Sequence, residues 1–210
     1  MNPTKTLQEY LNELSSNSPT PGGGNVAALC GALSSSLGIM VCNLTIGKKK
    51  YFDVEQEMIR LKEKLEIMQN NFIKLGQKDN ASFDKVMDAF KLPKETDDEK
   101  NIRSKAIEDA TIGATIAPMD VIQNSKTLLP MLETIIDKGN KNSISDAGVA
   151  VSLLRTAANG AYLNVLINCS SLSNQTIANE LKKSADILIE EVIHTCDRLF
   201  EQVVKAVQPK

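Results

Sequence analysis

The sequence predicts an all-α fold: a single domain of long antiparallel helices. Apolar residues recur at helical spacing along nearly the whole chain, and strand-like alternation is almost absent. Several segments carry faces of small residues, which let neighbouring helices approach closely. No stretch has the composition of a linker, so residues 1–210 form one domain. At 210 residues the chain is long enough to bury a real core.

Each element has its own signal. Thr6 to Leu14 reads as a short first helix. A second begins near Asn25, after prolines and glycines that hold the approach open. Along it Gly24, Ala28, Gly31, Ser35, Gly38 and Cys42 recur at spacings of four and three. Met58, Leu61, Leu65, Met68, Phe72 and Leu75 form the apolar stripe of a third helix, with a charged opposite face. A separate helix is expected from Asn80 to Phe90, ending before Pro93. Thr96 or Asp97 can cap the next, Asn101 to Ile136, where Pro118 and Pro130 predict kinks or breaks. Gly139-Asn140 ends that run. Ser145 to Asn168 repeats the small-residue pattern, and Ser173 to Val207 is a final amphipathic helix. The chain offers more apolar helix surface than one short bundle needs, which points to a dimeric helical bundle.

Composition narrows the function. The net charge of −2 gives no basic field for nucleic acid, and the absence of Trp removes stacking surfaces. Cys30, Cys42, Cys169 and Cys196 lie in apolar stretches without C-x-x-C spacing and read as small buried hydrophobes. With His194 alone, no zinc site is expected. Residues 26–47 lack charge and are long enough to raise a membrane span. Ser34-Ser35-Ser36, Asn43 and Thr45 fit a buried bundle helix better, so no membrane partner is expected. No secretory signal pattern opens the chain, which predicts a cytoplasmic location.

Four stretches stand out. Pro19 to Ala28 places Gly22, Gly23 and Gly24 at a helix start, where bare amides can meet an anion or a polar ligand edge. The formal G-x-G-x-x-A match to a dinucleotide fingerprint lacks its preceding strand, and a P-loop needs a glycine where Cys42 stands. A tight turn for helix packing is the plainer reading. Lys48-Lys49-Lys50 can complement a helix C-terminus or bind carboxylates. Asp146 lies in a first helical turn, where the dipole favours it whether or not it has a chemical role. Asn164 and Asn168 share a helix face, as a structural network or as ligand contacts.

The stretches PTPGGGNVAA (19–28), NLTIGKKKY (43–51), DNASFDKVMDAFKLPK (79–94) and GNKNSISDAGVAVSLLRTAANGAYLNVLIN (139–168) resemble, in order and spacing, the cyclodeaminase/cyclohydrolase family. That family includes the C-terminal domain of formiminotransferase-cyclodeaminase and stand-alone bacterial methenyltetrahydrofolate cyclohydrolases. The chain departs at Asn25, where the family more often has Ser. The resemblance implies an all-helical homodimer acting on a tetrahydrofolate one-carbon unit, with polyglutamylated substrate among those it can take, without metal or a tightly bound cofactor. The implied activity is formimidoyltetrahydrofolate cyclodeaminase. Methenyltetrahydrofolate cyclohydrolase is the alternative, and a non-catalytic folate-binding or interaction protein a second one. Within that resemblance Asp79 and Asp146 are the candidate general acid and base. Gly22, Gly23, Gly24, Asn25, Asn140, Asn164 and Asn168 are candidate substrate contacts. Lys48, Lys49 and Lys50 are candidates for the glutamate tail.

Overall fold

The computed structural model describes residues 5–208. Six α-helices follow one another: α1 (Leu7–Leu14), α2 (Gly23–Thr45), α3 (Glu55–Phe90), α4 (Asp97–Lys138), α5 (Ile144–Ser170) and α6 (Gln175–Val207). Short 3-10 turns, Lys49–Val54 and Lys141–Ser143, precede α3 and α5, and no strand occurs among the described residues. The all-α expectation holds.

Local chemistry explains the ends. Thr6 and Glu9 form a capping box on α1, and Thr96 and Glu99 form another on α4. Each satisfies amides that the first turn leaves open. The carboxylate of Glu108, on α4, accepts from the N–H groups of Ser173 and Asn174 at 2.8 and 2.9 Å and so fixes the entry to α6. α2 starts at Gly23, two residues before the predicted Asn25, with Gly22 as its cap.

Two expectations are corrected. The third helix and the one expected from Asn80 are a single 36-residue helix, α3. The polar run Lys78-Asp79-Asn80 contains no breaker, and the helix continues through it. α4 likewise continues through Pro118 and Pro130, so of the kinks or breaks expected there the breaks do not occur. Pro118 cannot bond the carbonyl of Ala114 four residues back. That oxygen instead accepts from Asn168 Nδ2 on α5 at 3.1 Å.

α2 is the axis of the bundle. It packs antiparallel against α3 and α5, with α4 closing the far side. The small-residue seam accommodates side chains from α3 in a repeating register. A Cβ on Gly31 would stand 2.7 Å from Phe72 Cγ, and one on Gly38 would stand 3.3 Å from the Leu65 methyl carbons. Phe72 and Leu65 are fully buried there. On the α5 side, Ser34 Oγ donates to Ala150 O at 2.7 Å. α2 is the one helix among the described residues long and apolar enough to cross a membrane, and 61% of its apolar window is buried inside the fold. Its outer edge, and that of α5, leave Leu33, Leu44, Val149, Leu163 and Ile167 exposed.

Cys42, Cys169 and Cys196 are buried as expected, and Cys30 is half-buried. Burial pushes the Cys196 thiol up to about 12. His194 is exposed on α6.

Candidate active site

One end of the bundle opens into a cavity of about 330 Å³ between the start of α2, the second half of α3, α4 and the end of α5. That volume lies in the range of small-molecule sites. Gly22, Gly23, Gly24, Asp79, Asn164 and Asn168 line it. The structure therefore brings together six of the residues that the sequence singles out.

Asp79 follows from the stripe on α3. Counting onward from Leu75 by the same alternation of three and four lands on Asp79. It faces Gly24 as Phe72 faces Gly31 and Leu65 faces Gly38, one heptad further along both helices. A carboxylate thus occupies a position where the rest of the stripe has core side chains. A Cβ on Gly24 would stand 2.6 Å from Asp79 Cγ and 2.7 Å from Oδ2, so only glycine leaves room for it. Burial raises the Asp79 pKa above the ordinary aspartate value, and the Asn25 backbone N–H opposes that shift without cancelling it.

The glycines act through space rather than through special dihedral angles. Gly47, with φ of 76°, is the only glycine at positive φ among the described residues, and it lies at the other end of α2. Gly23 is exposed at the cavity, 3.7 Å (as a built Cβ) from Asn164 Nδ2. The approach to the loop contains a cis Thr20–Pro21 peptide.

The Asn25 side chain is turned away from the cavity. It is fully buried, accepts from Tyr10 Oη at 3.0 Å, and donates to Gly76 O at 2.7 Å and Asn80 Oδ1 at 3.2 Å. It ties α1, α2 and α3 together, which explains an amide here: a serine hydroxyl has one donor and cannot donate to both Gly76 O and Asn80 Oδ1. Only its backbone N–H serves Asp79. Asn164 Nδ2 donates to Gly160 O at 2.8 Å and Asn168 Nδ2 to Ala114 O. One N–H of each amide is used inside the fold, and both side chains line the cavity, where their remaining donor and acceptor capacity can meet a ligand.

The remaining candidates lie elsewhere. Lys48, Lys49 and Lys50 follow the C-terminus of α2, exposed, with Lys50 Nζ 5.6 Å from the Tyr51 ring centre. The 23 residues of α2 put them about 33 Å from the glycines in the same chain. Asn140 is at that far end too. Its Nδ2 donates to Leu44 O at 2.8 Å and its N–H to Thr45 Oγ1 at 2.9 Å, satisfying the last turn of α2. Asp146 is half-buried in the first turn of α5, beside the same loop.

The sequence reading missed the apolar wall. Phe83, Val86 and Phe90 continue the α3 stripe beyond Asp79, and Ile107 and Thr111 face them from α4. The stripe itself was the signal, hidden by dividing α3 before Asn80. The arrangement offers one carboxylate of raised pKa beside two side-chain amides, under a wall suited to a flat apolar ring.

Comparison with known proteins agrees with this picture. The family profile described as Formiminotransferase-cyclodeaminase matches residues 6–187. A methenyltetrahydrofolate cyclohydrolase of Methylorubrum extorquens is 39% identical over 95% of this chain and 96% of its own length. The formimidoyltransferase-cyclodeaminase of Rattus norvegicus is 30% identical over 89% of this chain, which spans 34% of that longer protein. The crystal structure of a formiminotetrahydrofolate cyclodeaminase from Thermotoga maritima superposes with a TM-score of 0.81, at 33% identity, covering 97% of this chain and 96% of that one.

Proposed function

The chain belongs to the formiminotransferase-cyclodeaminase family, and we propose from that premise that it closes 5-formiminotetrahydrofolate to 5,10-methenyltetrahydrofolate and releases ammonia. The observation that carries this reading is Asp79, a carboxylate of raised pKa lodged against Gly24 at the cavity.

The formimino group reacts in its protonated form, N5–CH=NH2+, so closure needs only one further proton moved a short distance. N10 attacks the formimino carbon on N5 and forms a tetrahedral carbon that bears N5, N10 and a neutral amino group. The Asp79 carboxylate takes the proton from N10 and hands it to the amino nitrogen. The carbon–amino bond then breaks, ammonia departs, and the N5–carbon–N10 methenyl cation remains. Donor and acceptor are both attached to the same carbon, so a single carboxylate serves both steps. A pKa raised toward neutrality suits a group that must accept and then return a proton. The Asn164 and Asn168 oxygens are acceptors for pterin N–H groups, and the bare loop of Gly22, Gly23 and Gly24 lets the ring approach.

A second reading is favoured by the 39% identical cyclohydrolase, which this chain matches over nearly its full length. There water adds to the methenyl carbon, Asp79 takes one water proton and returns it to N5, the remaining hydroxyl proton passes to solvent as the carbonyl forms, and the carbon–N5 bond breaks to give 10-formyltetrahydrofolate. Both readings place the same group at the same carbon. We further propose a homodimer joined over the exposed apolar edges of α2 and α5, which sedimentation at micromolar concentration tests. The functional test is to supply the protein separately with 5-formiminotetrahydrofolate and 5,10-methenyltetrahydrofolate and follow the methenyl absorbance. Appearance from the first supports the cyclodeaminase. Accelerated loss of the second without the first reaction supports the cyclohydrolase, and neither change refutes both.

A further inference from the structure

Arg103 stands one helical turn before Ile107 and two before Thr111, both of which line the cavity from α4. Its guanidinium carbon is 5.5 Å from the centre of the Phe90 ring, itself part of the cavity wall. Nε and Nη2 donate to Phe90 O at 3.3 and 3.1 Å. These bonds close the carbonyl end of α3 and hold the guanidinium over the ring. Two of five N–H groups are used, and three remain. No ion pair among the described residues involves Arg103, whereas Arg155 and Arg198 are paired with Asp197 and Glu133. A fixed guanidinium without an ion-pair partner, held against a residue of the cavity wall, has the chemistry of a carboxylate receptor.

The spacing along α3 says which carboxylate. Asp79 to Phe90 spans three turns, about 16 Å along the axis. Between them lies the apolar wall of Phe83 and Val86. A ligand that fits has a reacting carbon at one end, a flat ring in the middle and an anion at the other end. Resting on the folate reading of this cavity, we propose that Arg103 binds a carboxylate of the substrate's first glutamyl residue while the benzoyl ring lies along the α3 wall. Arg103 is then a specificity residue of the site, and a single glutamate held there cannot also reach Lys48, Lys49 and Lys50, which lie about 33 Å from the glycines at the opposite end of α2.

The test compares wild type with Arg103→Gln on two substrates: the monoglutamate and its glutamate dimethyl ester, which keeps the ring and amide but has no charge. Gln retains a donor for Phe90 O, and a thermal melt checks folding. For wild type the ester should show a KM about 10- to 100-fold above that of the acid, as loss of a charge-assisted contact implies. Arg103→Gln should raise KM for the acid by a similar factor, leave kcat unchanged, and leave the ester unaffected. Equal rises for acid and ester would mean that Arg103 acts only through the Phe90 wall, and would overturn the proposal. So would a wild type that does not distinguish the two. If wild type turns neither over, the proposed reaction fails, and dissociation constants for acid and ester from ligand fluorescence still judge Arg103. Absence of binding by either overturns both.

Discussion

Replacing Gly24 with Ala tests whether that glycine exists to seat Asp79. The new Cβ would overlap Asp79 Oδ1 outright and stand 2.7 Å from Oδ2, while ordinary contact begins at 3.4 Å. The carboxylate must therefore move by about 1 Å or more, and a misplacement of about 1 Å lowers a positioned reaction about 100-fold. Stability should change little. Ala is favoured over Gly in a helix by up to about 1 kcal/mol, and the displaced group is the end of a side chain with an open cavity beside it. The melting temperature should stay within about 3 °C of wild type. Stopped-flow methenyl absorbance and a thermal melt on the same preparation read both effects. Normal turnover in a well-folded Gly24→Ala protein would refute the reasoning. A fall in turnover matched by a fall in folded fraction would make Gly24 a packing residue only.

Two further outcomes are expected. Because burial raises the Asp79 pKa, the stability linked to its protonation is present below the ordinary aspartate value of 3.8 and is lost as pH rises through the folded-state value. Asp79→Asn should therefore melt higher than wild type at neutral pH and converge with it in acid; a variant that melts lower at neutral pH would make the ionised carboxylate a stabilising cap of α2. Changing Lys48, Lys49 and Lys50 together to Ala should raise KM only for substrates with long polyglutamate tails, and the effect should fade with salt. An equal rise for the monoglutamate would bring these lysines to the cavity, as a second chain can do.

Much of the fold was legible because it rests on repeating spacing. The capping residues, the small-residue seam of α2 and the α3 stripe up to Leu75 could be read from residue types alone. The error at Asn80 came from treating a polar run as a break. Lys78, Asp79 and Asn80 are polar for different reasons: Lys78 pairs with Asp120, Asp79 faces the cavity, and Asn80 bonds Asn25. Asp79 was identified through its motif, but its place on the core stripe went unseen, and Phe83, Val86 and Phe90 with it. Arg103 lies outside every matching motif, in a charged segment where nothing in the sequence separates it from its neighbours. Its role depends on a contact across the α3–α4 turn. Asn25 and Asn140 stand out in the sequence only as candidate ligand contacts, because buried and surface amides look alike there. The bonds that Asn25 makes to Tyr10 and Gly76, and Asn140 to Leu44, become visible only when the helices are assembled.

The central claim is that Asp79 carries the proton at the one-carbon unit. Asp79→Asn keeps the shape and an acceptor for the Asn25 N–H but cannot take a proton at neutral pH. Single-turnover rates of methenyl formation from saturating 5-formiminotetrahydrofolate, or of methenyl loss if the protein is the hydrolase, measure that step directly. The account predicts a rate about 10²–10⁴-fold below wild type, with substrate affinity and folding retained. A well-folded Asp79→Asn protein that turns over at the wild-type rate would contradict it.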